Sequence, residues 1–282
     1  MPPPPIIEIL IVFFVLKDII VNDLIYEIFG DCYDDYKEMV RRIILTTTND
    51  RAKEVNDNVL ELRAQGEDIE SILSVDTVDD DEPDAGKYIK YPDEYLHSLN
   101  EGGLPPHDLK LMLNCPVILL RNINPAAGLY NGTRLLVKAI HRRHLECEFL
   151  VGDRKGQRVL IPKITLTSSV GTFPFVLHRK QFPVKLCYAM TINKSQGQTI
   201  DFVGLDLEEP VFSHGMLYVG FSRAIGWDKL RVKVDEELGN KVKNVVWEEL
   251  LINDGDDVEE RLLELEQEDM DIDHTDEDIG QE

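Results

Sequence analysis

The order of segments between residues 184 and 234 constrains this chain more than any other feature. "VKLCYAM" (184–190) is rich in β-formers and reads as one buried strand. A polar loop follows, then a strand "VGLDL", a helix "GMLYVGFSRAIG" and a strand "LRVKV". Strand, loop, strand, helix, strand is the pattern of a parallel sheet in an α/β fold. Such sheets bind ligands at loops leaving the carboxyl ends of their strands. The loop here, inside "AMTINKSQGQTI" (189–200), holds more donors than a turn requires, since Asn193 and Gly197 would suffice for turning. Thr191, Asn193, Lys194 and Ser195 can all donate to phosphate, and Gly197 lets the backbone come close. The surplus points to phosphate, carried by a nucleic acid or a nucleotide.

A formal charge of −23 argues against a polyanionic partner only until its distribution is considered. Residues 253–282 hold 15 Asp/Glu and one Arg, whereas residues 105–205 hold 14 Lys/Arg against 5 Asp/Glu. A basic central module sits within an acidic chain, and the local field governs binding. Its alternative is a solvated basic surface on an ordinary domain.

The remaining segments complete an α/β core interrupted by a β-rich insert. The run "IIEILIVFFVL" (6–16) is too short to span a bilayer and lacks a basic leader, so it is expected as a buried strand. Residues 17–40 space apolar residues for one amphipathic helix. "RRIILTTTND" (41–50) gives a short strand, after which Asn49 or Asp50 would cap a helix ending at Gly66. The acidic stretch 74–94 reads as a loop or linker. Closely spaced strands and turns across 105–164, among them an Asn-Gly turn in "LYNGTRLLV", suggest a small β-barrel. The tail from about 253 reads as disordered beyond a short helix around "VEERLLELEQE". The scattered Cys32, Cys115, Cys147 and Cys187 form no C-x-x-C pair, which favours a reducing compartment and no metal site.

"AMTINKSQGQTI" and "LYVGFSRA", with "VFSHG" between them, resemble motifs V and VI of the Pif-type (petite integration frequency) DNA helicases, a RecD-like branch of superfamily one. "ILTTTND" (44–50) resembles their motif IV region, and 104–135 with "FPFVLHRKQFPV" resembles their connecting insert. The likeness covers roughly residues 17–234. It implies an α/β fold: a RecA-like second lobe (2A) in two segments, 1–73 and 181–238, around an acidic linker at 74–103 and an SH3-like β insert (2B) at 104–180, with an acidic tail at 239–282. It implies an ATP-driven motor moving 5′ to 3′ on single-stranded DNA and acting at forks, with ATP and Mg²⁺ as cofactors, no membrane partner, and nuclear or mitochondrial location. By position, Thr48, Asn49, Thr191, Asn193, Lys194 and Ser195 would contact DNA. Gln196 and Gly197 would face the nucleotide, and Arg223 would reach its γ-phosphate as the catalytic arginine. Many relatives carry His where Asn193 stands.

The sequence contains no G-x-x-x-x-G-K-[ST] to cradle the phosphates of ATP. "LRVKVDEE" (230–237) imitates a magnesium-binding strand but follows motif VI, so Asp235 and Glu236 read as a surface strand end. Two functions are therefore expected as alternatives. One is the C-terminal half of an ATP-dependent DNA helicase whose first lobe is absent through a truncated gene model or supplied separately. The other is a non-catalytic DNA-binding remnant of a helicase or of a Helitron-type mobile element, in which Tyr130, Phe149 and Phe173 are candidates for base stacking.

Overall fold

In the computed structural model, residues 6–9, 20, 23–65, 68–78, 91–169, 171–235 and 242–245 are described. In chain order, strand β1 (Ile6–Ile9) precedes helices α1 (Leu24–Phe29) and α2 (Tyr36–Met39), strand β2 (Arg42–Thr46) and the long helix α3 (Asn49–Ala64). Strands β3 (Glu70–Leu73) and β4 (Val75–Val78) are followed by helix α4 (Asp93–Ser98). The middle of the chain forms β5 (Asp108–Leu111), β6 (Pro116–Leu119), β7 (Arg134–Ile140), β8 (His144–Phe149), β9 (Arg158–Pro162), β10 (Ile164–Thr167) and β11 (Leu177–Gln181). Then come β12 (Val184–Leu186), β13 (Ala189–Thr191), β14 (Phe202–Leu207), helix α5 (Met216–Phe221), β15 (Leu230–Val234) and β16 (Val242–Val245).

The expected parallel sheet is present, in the order β13-β2-β14-β15, with every neighbouring pair parallel. β2 is a central strand buried on both faces, which explains its unbroken apolar run. Ile44 packs with Leu24, Ile28, Val55 and Val59, while Ile43 and Leu45 pack with Leu205, Met216 and Leu217 on the opposite face. Gly204 in β14 lets α1 press directly on the sheet, because a Cβ there would lie 2.9 Å from a side-chain carbon of Ile28.

Four antiparallel groupings accompany it: β12-β6-β7-β8-β9, β10-β11-β4 and the pairs β3-β5 and β1-β16. The Asn-Gly turn before β7 closes as expected, with Thr133 N–H donating to the Tyr130 carbonyl and Gly132 at φ +91°. The parallel sheet and the five-stranded sheet share one core, in which Ile44, Tyr188 and Ala189 are continuous with Leu119, Val137, Cys147 and Phe182.

Four expectations need correction. Residues 17–40 do not form one helix. Among the described residues they give α1 and α2, each begun by a carboxylate, Asp23 accepting from Tyr26 N–H and Asp35 from Lys37 N–H, with the chain turning between them. The cap of α3 is Thr48, whose hydroxyl accepts from Arg51 N–H at 3.3 Å; Asn49 is the first helical residue. "VKLCYAM" is two strands: β12 belongs to the antiparallel sheet, β13 to the parallel one, and the chain crosses between sheets at Cys187–Tyr188.

The fourth correction concerns the acidic stretch 74–94. It includes strand β4, and Asp76 there accepts from Arg179 Nε and Nη2 in a fully buried ion pair, the closest contact 2.7 Å. Arg179 also donates to the carbonyls of Leu96, Leu99 and Pro105, so one guanidinium ties β11 to β4 and to the end of α4. Residues 10–16, 79–90, Glu236 and the tail from 246, with its expected helix, lie outside the described residues. No helix among the described residues is long and apolar enough to cross a membrane.

Candidate functional site

The site begins with register. β13 runs parallel to β2 with Ala189 beside Ile44 and Thr191 beside Thr46, so both strands end at one level. Two segments distant in sequence therefore leave the sheet side by side: Thr47–Asn49 into α3, and the 3-10 turn Ile192–Ser195. Lys194 Nζ donates to Asn49 Oδ1 at 3.2 Å across this gap.

One residue that sequence reasoning missed holds this arrangement together. β13 is an edge strand, and its outward groups would be unsatisfied if buried. Asn56, buried on α3, satisfies them. Its Oδ1 accepts from Tyr188 N–H (2.8 Å) and Ala189 N–H (3.0 Å), and its Nδ2 donates to the carbonyls of Ala189 (2.8 Å) and Ala52 (2.7 Å). All four hydrogen bonds of one amide are thus used, pinning α3 to the crossover between the two sheets.

A cleft of about 150 Å³ opens where these elements meet, lined by Asn49, Lys53, Asn100, Lys185, Thr191 and Lys194 among others. The amino-terminal turn of α3, a helix of 16 residues, forms part of its wall, adding the positive end of a helix dipole to the lysines. Burial pushes the Lys185 ammonium down to about 8, assisted by the nearby Lys194 and Arg179 and opposed by Asp50 and Glu101. Partial desolvation also lowers Lys194. Lys53 forms an ion pair with Asp57 at 2.7 Å.

The expected DNA-side residues divide. Asn49, Thr191 and Lys194 line the cleft. Asn193 is exposed in the same turn but does not line it. Thr48 is committed to its cap, and Ser195 is fully buried with its hydroxyl donating to the Ile192 carbonyl at 2.6 Å. Both build the frame of the site. Lys185, Lys53 and Asn100 were missed; the basic character of residues 105–205 was the only signal for Lys185.

The three residues assigned to the nucleotide lie apart from the cleft lining. Gly197 takes φ +78°, a left-handed turn that favours glycine. Beyond it, the Gln198 carbonyl accepts from Arg223 Nη1 at 3.1 Å, and Ile200 N–H donates to the Arg223 carbonyl at 3.0 Å. Arg223 Nε donates to the Val219 carbonyl at 2.9 Å, so its guanidinium bridges the end of α5 and the segment after Gln196 and Gly197. Tyr130 is exposed, Phe149 is buried in the core, and Phe173 packs against Phe175.

The four cysteines are buried and free, and burial pushes the Cys115 and Cys147 thiols up to about 11 and 12. Among the described residues, two groups have the spacing to hold a metal ion, Asp76–His97–His107 and His141–His144–Glu146. In the first, Asp76 is already spent on Arg179.

Residues 94–140 match the family model described as DNA helicase Pif1, 2B domain. The human ATP-dependent DNA helicase PIF1 is 36% identical over 127 residues, which are 44% of this chain and 19% of that protein. The ATP-dependent DNA helicase Pif1 of Bdellovibrio bacteriovorus is 29% identical over 154 residues, covering 52% of this chain and 34% of that protein. The chain thus spans well under half the length of these relatives. A crystal structure of Pif1 helicase from Candida albicans superimposes with a TM-score of 0.52 at 23% identity, covering 72% of this chain and 49% of that one. The 2B-domain match and the fold agree: the chain is similar to the Pif1 DNA helicases, with partial coverage consistent with a C-terminal portion of them.

Proposed function

We propose that this chain is the C-terminal part of an ATP-dependent DNA helicase moving 5′ to 3′, comprising a RecA-like lobe 2A and an SH3-like insert 2B. Its role in this reading is to hold single-stranded DNA, at forks or elsewhere, while a first lobe binds ATP and Mg²⁺. The observation that carries the reading is the convergence of Asn49, Thr191 and Lys194 on one cleft, lined by four lysines and three carboxylates, at the carboxyl ends of two parallel strands. Amide and hydroxyl donors, ammonium groups and a helix amino terminus suit a phosphate backbone and carry no means of reading bases, as a translocating motor requires. Gln196, Gly197 and Arg223 supply the face towards the nucleotide, Arg223 meeting the γ-phosphate when the lobes close. Nuclear or mitochondrial location belongs to the same reading.

The second reading is a DNA-binding remnant without a motor. One set of measurements on the 282-residue chain addresses both. Single-stranded DNA binding should weaken steeply from low to physiological salt, because each phosphate contact releases counterions. The chain alone should hydrolyse no ATP, with or without DNA. Joining it to a Pif1-type first lobe should produce DNA-stimulated hydrolysis; failure to do so despite normal DNA binding would leave the remnant. Affinity indifferent to salt would remove the cleft as the binding surface.

A further inference from the structure

Among the described residues, Lys185 is a charge that the fold leaves without an ion pair. It projects from β12 and lines the cleft, yet it is half-buried, and its one hydrogen-bond partner is the Glu101 carbonyl at 3.4 Å. Among the described residues no carboxylate comes within ion-pair distance of it. The charged groups around it come from every element that packs there. α3 brings Asp50, Lys53 and Asp57, the segment before β5 brings Glu101, β5 brings Lys110, β11 brings Arg179 and the 192–195 turn brings Lys194. Of these, Arg179 is neutralised by Asp76 and Lys53 by Asp57. Lys194 meets the amide of Asn49 and no carboxylate. Asp50 and Glu101 share the cleft but form no ion pair with either ammonium, so among the described residues two ammonium groups face it without a contacting anion, an arrangement that costs desolvation and that an incoming anion would relieve.

We propose that Lys185 anchors one phosphodiester group of the bound strand, sharing it with Lys194 at the mouth of the cleft. This rests on the functional reading above and adds to it a deep phosphate subsite outside the recognised motifs. It also gives the site a pH dependence. The bound strand needs the ammonium, and burial holds Lys185 near 8 in the free protein, so binding must take up a proton as pH rises through that value. Affinity should be level below pH 7 and fall above pH 8, by up to about tenfold per pH unit, the limit for one linked proton.

The test is anisotropy of a rhodamine-labelled oligothymidylate titrated with the full chain from pH 6.5 to 9.5, and across salt at pH 7. Lys185→Met, close in volume, should bind about tenfold or more weakly at pH 7, as expected for loss of a charge-assisted hydrogen bond. It should lose the fall above pH 8, and its log–log salt slope should be shallower by about 0.7, one phosphate contact on a single strand. Lys185→Arg stays charged throughout and should bind with a level pH profile. Inorganic phosphate, matched in ionic strength by chloride, is the comparison arm. Displacement of the strand by phosphate beyond the chloride effect is expected to weaken in Lys185→Met; displacement unchanged by that substitution would place the anion elsewhere and overturn the proposal. Met and Arg variants that bind and titrate like the unaltered protein would overturn the anchor while leaving the functional reading intact. No binding by the unaltered protein at any pH would overturn both.

Discussion

Asn56 lies mid-helix, where asparagine is an indifferent helix former, and nothing near it in sequence marks it. Its importance comes from Tyr188 and Ala189, 132 and 133 residues away. The same holds for Asp76, read as one acid among many until Arg179 is found 103 residues further on. Residues that act through distant backbone are illegible in one sequence, whereas Lys194 was singled out because its type declares a chemistry and Asn49 only through the resemblance of its segment to motif IV. Replacing Asn56 by Leu keeps the volume and strands two N–H groups and a carbonyl at about 1–3 kcal/mol each, so a loss of roughly 3 kcal/mol or more is expected. Urea denaturation measures it. A change below about 1 kcal/mol would mean that the edge of β13 finds water instead, and that Asn56 is an ordinary core residue.

At the scale of elements, the parallel sheet was legible because a polar loop separates β13 from β14 and a helix separates β14 from β15. The break at Cys187–Tyr188 was not, because both halves of "VKLCYAM" are equally β-like and only pairing partners distinguish them. The Arg223 region illustrates the division of labour between elements. α5 and the turn at Gly197 meet through Arg223, whereas α3 and the 192–195 turn enclose the cleft. Arg223→Ala, in the chain joined to a first lobe, should therefore lower ATP turnover by about a thousandfold or more while leaving DNA affinity nearly unchanged. Arg223→Lys should fail similarly, since an ammonium cannot reproduce the planar fork now divided between Gln198 and Val219. Measuring turnover and DNA binding on the same preparation decides the matter. Equal losses in both would mean that Arg223 only braces the site.

At the scale of the whole molecule, net charge misled and its distribution did not: the cleft lies within a chain of −23, and Lys185 and Lys194 come from its basic span. That cleft exists only because β2 meets β13, whose paired residues Ile44 and Ala189 are 145 positions apart. Pairings of such span form late, since chain entropy must be lost before the contact rewards it, whereas the meander β6 to β9 joins neighbours along the chain. Pulsed hydrogen exchange during refolding should protect β7 and β8 before β2 and β13; the opposite order would refute this sequence of events. On the ribosome the same geometry imposes a wait. β2 emerges with α1 and α3 to cover its Ile44 face, but its two strand edges and its Ile43 and Leu45 face wait for β13 and β14, with Ala189 made 145 positions after Ile44.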